Sequence, residues 1–123
     1  MDTQKNGNGN RLESFRFAFS GLSHAITSQK NFQIQIVIGI IGLVLAWYFE
    51  LSRWEWLILI LTIGLVLASE LINTVVEVVV DLAVKEKLIP DAKLAKDVSA
   101  AVVLLASLFA LIIGLILFIP HLR

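Results

Sequence analysis

The pattern of hydrophobic and polar positions divides the chain into one amphipathic stretch and three long apolar runs. Residues 1–10 are polar and rich in Gly and Asn, a composition that reads as a disordered tail. From Arg11 the pattern changes. Leu12, Phe15, Phe19, Leu22 and Ile26 recur at spacings of three and four, while Arg16, Ser20, Ser23 and Thr27 take other faces. This predicts an amphipathic helix over 12–28, lying in a membrane interface with its Phe side down. After the polar Ser28-Gln29-Lys30-Asn31, the run Ile34 to Phe49 is broken only by Gln35 and is roughly 24 Å long as a helix. Phe32 and Gln33 extend it, so a first span is expected over 32–49, with Gly39 and Gly42 permitting close helix contact. Trp47, Tyr48, Trp54 and Trp56 gather around Glu50-Leu51-Ser52-Arg53, which reads as a tight turn in the headgroup layer with its aromatic belt.

A second span is expected over 54–84. As a helix it measures about 46 Å, against about 30 Å for the hydrocarbon core of a bilayer, so its far end projects toward water. Glu77 and Asp81 then fall near the interface and Glu70 and Asn73 within the membrane edge, the four spaced by three, four and four. At about 100° per residue they fall within roughly 80° of one another, an acidic stripe on one helix face. Carboxylates at membrane depth are costly and normally face a bundle interior or water. The loop Lys85 to Pro90 follows, punctuated by its proline, and Asp91 reads as the N-cap of a third span over 92–119. Lys93, Lys96 and Asp97 sit on its wet first turns, while His24 and His121 read as isolated exposed residues.

Composition agrees with this pattern. Of 123 residues, 58% are hydrophobic and only 16% charged, with a mean hydropathy of +0.86. That exceeds the apolar fraction of ordinary soluble domains and reads as an integral membrane protein with one domain over 11–123. The absence of cysteine excludes disulfides and thiolate chemistry. The polar N-terminus does not read as a cleavable signal peptide. Ten basic and ten acidic residues cancel, so net charge points to no partner and nothing suggests nucleic-acid binding. Their placement says more. Lys5, Arg11, Arg16 and Lys30 lie before the first span and Lys85, Lys87, Lys93 and Lys96 around the second loop, whereas the first loop has only Arg53 against Glu50 and Glu55. The positive-inside rule then predicts a cytoplasmic N-terminus and an outside C-terminus, with the acidic stripe opening toward cytoplasmic ATP. Three spans cannot wall off several carboxylates, so a homo-oligomer is expected.

At that edge Glu70, Asn73, Glu77, Asp81, Lys96 and Asp97 converge, with Gln29 and Asn31 entering from the first loop. Carboxylates with an amide suit a hard ion such as Mg²⁺, and a lysine at the same level suits phosphate oxygens. These are parts of phosphoryl transfer, although the chain has no Walker A sequence, Gly-rich nucleotide loop or dinucleotide fingerprint. An intramembrane acidic stripe equally suits a small cation or proton conductor, and an assembly role stays open as well.

The stretch Glu70-Leu71-Ile72-Asn73-Thr74-Val75-Val76-Glu77-Val78-Val79-Val80-Asp81 resembles the signature of the bacterial integral-membrane diacylglycerol kinase / undecaprenol kinase family. Ala95-Lys96-Asp97, followed by the small Ser99, Ala100 and Ala101, is similar to its second block. Asn31-Phe32, the Glu50-Leu51-Ser52 turn and the ending through Pro120 resemble the Gram-positive branch. The resemblance implies an all-α membrane protein, a surface helix plus three transmembrane helices assembled as a homotrimer in the bacterial plasma membrane. It implies transfer of the γ-phosphoryl group of MgATP to a lipid hydroxyl, undecaprenol in that branch or diacylglycerol in the other. Glu70 is then the base, Glu77 the principal metal ligand, and Gln29 a second residue at the metal. Lys96, Asp97, Asn73, Asp81 and Arg16 attend ATP and its phosphates, while Glu70, Asn73 and Ser69 meet the lipid. The chain departs from the family at Gln29, where a metal-binding Glu is usual, at Gln35, where His is common, at Val75, where a small residue is usual, and in a second loop without His before Pro90. Gln29 and Val75 keep a non-catalytic family member in view.

Overall fold

The computed structural model describes residues 7–85, 87 and 89–122. These form helices α1 (Gly7–Ser28), α2 (Lys30–Tyr48), α3 (Arg53–Val84) and α4 (Pro90–Phe118), closed by a 3₁₀ turn over Ile119–Leu122. By length and composition α2, α3, and α4 with its closing turn can each cross a membrane, whereas α1 does not. The chain is a multi-pass membrane protein. Its exposed surface, 9671 Å², exceeds the roughly 6,600 Å² that a compact soluble monomer of this mass would show. Leu104, Leu111 and Ile116 all lie on that surface. Lipid or another protein surface must cover it, because apolar patches of this extent are not stable against water.

Two turns set the antiparallel order. At the end of α2, the Leu51 N–H donates to the Ala46 carbonyl (3.1 Å) and the Glu50 N–H to that of Trp47 (3.2 Å), a Schellman closure with Glu50 at φ 53°. Ser52 then caps α3. Its Oγ accepts from the Glu55 N–H, and the Glu55 carboxylate accepts from the Ser52 N–H at 2.9 Å. This capping box satisfies donors that the first turn would otherwise leave open. The other Glu55 oxygen lies 3.1 Å from His121 Nε2, so His121 is not isolated but ties the end of the chain to the start of α3. Ala46, Leu51, Leu59 and Leu117 form a small core above this junction, packed by Phe49, Trp56 and Phe118.

Small residues let α2 meet α3. A Cβ on the buried Gly39 would lie 3.0 Å from Ile63 Cγ2, and one on Gly42 would lie 3.8 Å from Leu59. Helix α4 packs most extensively on α3, and α1 rests against the start of α2. Ala25 and Phe32 are buried at that α1–α2 junction, and the Gln33 side chain donates to the Ile26 carbonyl at 2.9 Å.

Two helix starts and one face differ from the sequence expectation. Residues 7–10 of the expected tail are helical, and 1–6 lie outside the described residues. Extending a helix that already exists adds one hydrogen bond per residue fixed, and Ser14 Oγ donates to the Asn10 carbonyl at 2.8 Å. Pro90 opens α4 rather than punctuating a loop, with Ile89 as N-cap. Proline suits the first helical position because its missing N–H would lack an intrahelical partner there anyway. Asp91 therefore lies inside the first turn, where its charge faces the positive end of the helix dipole. On α1 the exposed Phe17 stands about 200° around the helix from Phe15, so aromatic surface is not confined to one side.

Candidate functional site

Helix α3 carries the acidic stripe past α4 with a gradient of burial. Ser69, Glu70 and Asn73 are buried, whereas Glu77 and Asp81 are exposed. Glu70 retains only 5% of its surface. The Gln35 amide on α2 faces its carboxylate and donates to Ser107 on α4 at 3.5 Å. All three spanning helices thus bring polar groups to the level of Glu70. The Ser69 hydroxyl, expected at the lipid, donates to the Val66 carbonyl of its own helix at 2.7 Å. The neighbouring Thr74 does likewise to the Glu70 carbonyl at 3.0 Å. Both turns keep their donors satisfied without solvent.

One turn beyond Glu70, hydrogen bonds cross from α4 to α3. Ser99 Oγ donates to Asn73 Oδ1 at 2.8 Å, and Asn73 Nδ2 donates to Glu77 Oε1 at 2.8 Å. Among the described residues Glu77 Oε2 has no protein partner. Farther out, Lys96 Nζ donates to Asp81 Oδ1 at 2.9 Å and Lys93 Nζ to Asp97 Oδ2 at 2.6 Å. Lys96 also lies close enough to feel the charge of Glu77. These charges border a groove of about 600 Å³ between the end of α3, the following loop and the start of α4. Lys87 and Lys93 line it together with Lys96, Asp81 and Asp97.

Of the residues expected from sequence, the structure joins Asn73 to Glu77 and Lys96 to Asp81, with Glu70 buried one turn before Asn73 and Asp97 paired to Lys93 at the groove. Gln29 and Arg16 are not drawn in. Gln29 is the half-buried N-cap of α2 with no side-chain capping bond, and Arg16 is exposed on α1 without an ion pair among the described residues. Ser99, Lys87 and Lys93 belong to the site region but do not stand out as site residues in the sequence. Lys93 had a signal, its i, i+4 spacing to Asp97. Ser99 stood in the second block of the resemblance, but only as one of its small residues, and a serine among Ala and Val on an apolar helix does not announce its partner.

Among the described residues no three acidic or imidazole groups converge as a ready metal cluster. Mg²⁺ is commonly held by one or two carboxylates and completes its shell with substrate phosphate and water. The exposed carboxylate of Glu77 fits that mode. Along α3 the buried Glu70 lies about 15 Å before the lysine-rich groove, whose lining begins at Val80.

The family described as prokaryotic diacylglycerol kinase matches residues 16–118, a segment holding every one of these groups. The chain belongs to that family. The diacylglycerol kinase of Synechocystis is 42% identical over 92% of this chain, which spans 65% of that relative's length. The undecaprenol kinase of Bacillus subtilis is 37% identical over 99% of this chain and 100% of its own. Membership in a kinase family decides between enzyme, conductor and assembly protein at the level of the family. The two relatives carry different lipid names at similar identity, so the lipid is a separate question.

Proposed function

We propose that this protein is a membrane lipid kinase that transfers the γ-phosphoryl group of ATP to the hydroxyl of undecaprenol. The observation carrying this reading is the burial gradient along one helix face, from the enclosed Glu70 to the lysine-bordered groove. A lipid hydroxyl reaches the membrane-depth end and a nucleotide the wet end. End-to-end correspondence with the undecaprenol kinase supports undecaprenol over diacylglycerol. The Synechocystis relative supports diacylglycerol as the second reading.

In this mechanism Glu70 accepts the proton of the lipid hydroxyl as its oxygen bonds to the γ-phosphorus. The bond from that phosphorus to the β–γ bridging oxygen breaks, and ADP leaves. Asn73 holds Glu77 and lines the path between the hydroxyl and the phosphates. Lys96, held by Asp81, offers its charge to phosphate oxygens, and Asp97 organises the groove through Lys93. Ser69 lies next to Glu70 at the lipid end, and Arg16 meets nucleotide or headgroups from α1. Glu77 and, more weakly, the uncharged Gln29 are the protein's groups for Mg²⁺. That ion, when bound, neutralises charge developing on the transferring phosphoryl group. Burial of Glu70 excludes water, so that ATP is not hydrolysed in place of the lipid.

A homotrimer covers the apolar flanks, including the face of α3 where a Cβ added at Gly64 would meet no atom within 4 Å. Basic residues set the N-terminus in the cytoplasm and the C-terminus outside the bacterial plasma membrane. Undecaprenol and diacylglycerol presented side by side in mixed micelles with ATP and Mg²⁺ test the assignment. Faster phosphorylation of undecaprenol, lost in Glu70→Gln, is expected. Full activity in that variant would refute Glu70 as base, and a preference for diacylglycerol would overturn the lipid.

A further inference from the structure

Hydroxyls on the helices of this protein mostly serve their own backbone. Ser14, Thr27, Thr62, Ser69 and Thr74 each donate to a carbonyl three or four residues earlier. Ser99 does not. Its buried hydroxyl crosses to another helix and donates to Asn73 Oδ1.

The direction of that bond is forced by chemistry at the other end of the chain of hydrogen bonds. An ionised carboxylate only accepts, so Glu77 must receive the NH₂ of Asn73. The Asn73 oxygen then points the opposite way, and whatever meets it has to donate. Ser99 can. A residue without a donor there leaves a buried amide oxygen unpaired and the Asn73 amide held at its Glu77 end alone.

We propose that Ser99 is a positioning residue for the phosphoryl-transfer site, locking the Asn73 amide so that Glu77 presents its other oxygen to a divalent cation. The inference rests on reading Glu77 as the cation ligand. It makes α4 a supporting wall of the site through a residue that touches neither substrate nor ion. Groups that orient a metal ligand typically change metal affinity by about 10- to 100-fold when removed.

The test uses the full chain in detergent micelles, with Mn²⁺ and a non-hydrolysable ATP analogue followed by electron paramagnetic resonance. Ser99→Ala is expected to weaken Mn²⁺ binding about tenfold. It should raise the Mg²⁺ concentration for half-maximal lipid phosphorylation by a similar factor and leave the rate at saturating Mg²⁺ within about twofold. Ser99→Thr, which keeps the donor, should restore both. Unchanged Mn²⁺ affinity in Ser99→Ala, with a clear loss in Glu77→Gln, overturns the inference and leaves the proposed kinase mechanism standing. Unchanged affinity in Glu77→Gln overturns the reading of Glu77 itself. A fall in the saturated rate, or failure of threonine to restore, reduces Ser99 to packing and overturns the proposal as well. Should Ser99→Ala not assemble, Ser99→Cys keeps the size with a weak donor. Wild-type Mn²⁺ affinity in that variant would count against the hydrogen bond.

Discussion

Replacing Gly39 by alanine tests the contact that holds α2 against α3. The added Cβ would lie 3.0 Å from Ile63 Cγ2 and 3.8 Å from both Cγ1 and Cδ1. Carbon atoms pack at about 3.5–4.0 Å, so about half an ångström must be found. Cγ2 is attached directly to Cβ and cannot swing away without a change of rotamer, so the helices themselves must part. Overpacking of this kind costs about 1–3 kcal/mol, partly offset by the roughly 1 kcal/mol that alanine gains over glycine within a helix. The net expectation is a loss of about 1 kcal/mol, with lower activity because Gln35, one turn away on α2, is displaced from Glu70. Gly42→Ala supplies the control. Its Cβ meets only Leu59 Cδ1, at 3.8 Å, and should be neutral or stabilising. Ile63→Leu removes the β-branch, so Gly39→Ala in that background should also become harmless. Unfolding of the micelle-bound protein by denaturing detergent, followed by circular dichroism, measures all four variants. Equal stability of Gly39→Ala and Gly42→Ala would refute the close approach, and additivity with Ile63→Leu would refute Ile63 as its cause.

Further outcomes follow from the same geometry. Glu70→Gln should lower lipid phosphorylation by about 10²- to 10⁴-fold while leaving nucleotide binding near wild type, measured with a fluorescent ATP analogue. Lys96→Ala should raise the KM for ATP with no change in melting temperature, because its bond to Asp81 is exposed to water and screened by salt; a large stability loss would contradict that. Ser52→Ala removes a helix cap and should cost about 1 kcal/mol without altering the KM for either substrate, because the turn lies at the opposite end of α3 from the acidic stripe. Gln29→Glu should tighten Mg²⁺ dependence if the residue swings toward the metal during catalysis. No change would remove Gln29 from the site.

Much of this protein was legible along the chain. The apolar runs determined three spans, since no soluble packing could hide so much hydrocarbon, and the spacing of Glu70, Asn73, Glu77 and Asp81 determined a single acidic face. The family resemblance and the kinase class rested on those same residues. Boundaries were less legible because they depend on backbone partners rather than on composition. Pro90 reads as a stop in sequence and serves as the first residue of a helix in space. Ser52 and Glu55 carried a capping pattern that the aromatic belt around them obscured.

Only the tertiary structure decided which polar groups meet. Nothing in the sequence links Ser99 to Asn73 or His121 to Glu55, because each pair is set by the rotation and register of helices distant along the chain. The same geometry divided the stripe. The length of the span already put Glu70 and Asn73 deeper than Glu77 and Asp81, and packing against the other helices enclosed the first pair and left the second open. Hydrophobic periodicity records which face of a helix is polar. It does not record how far along that face the neighbouring helices exclude water, and that depth separates the buried Glu70 from Asp81 at the open groove.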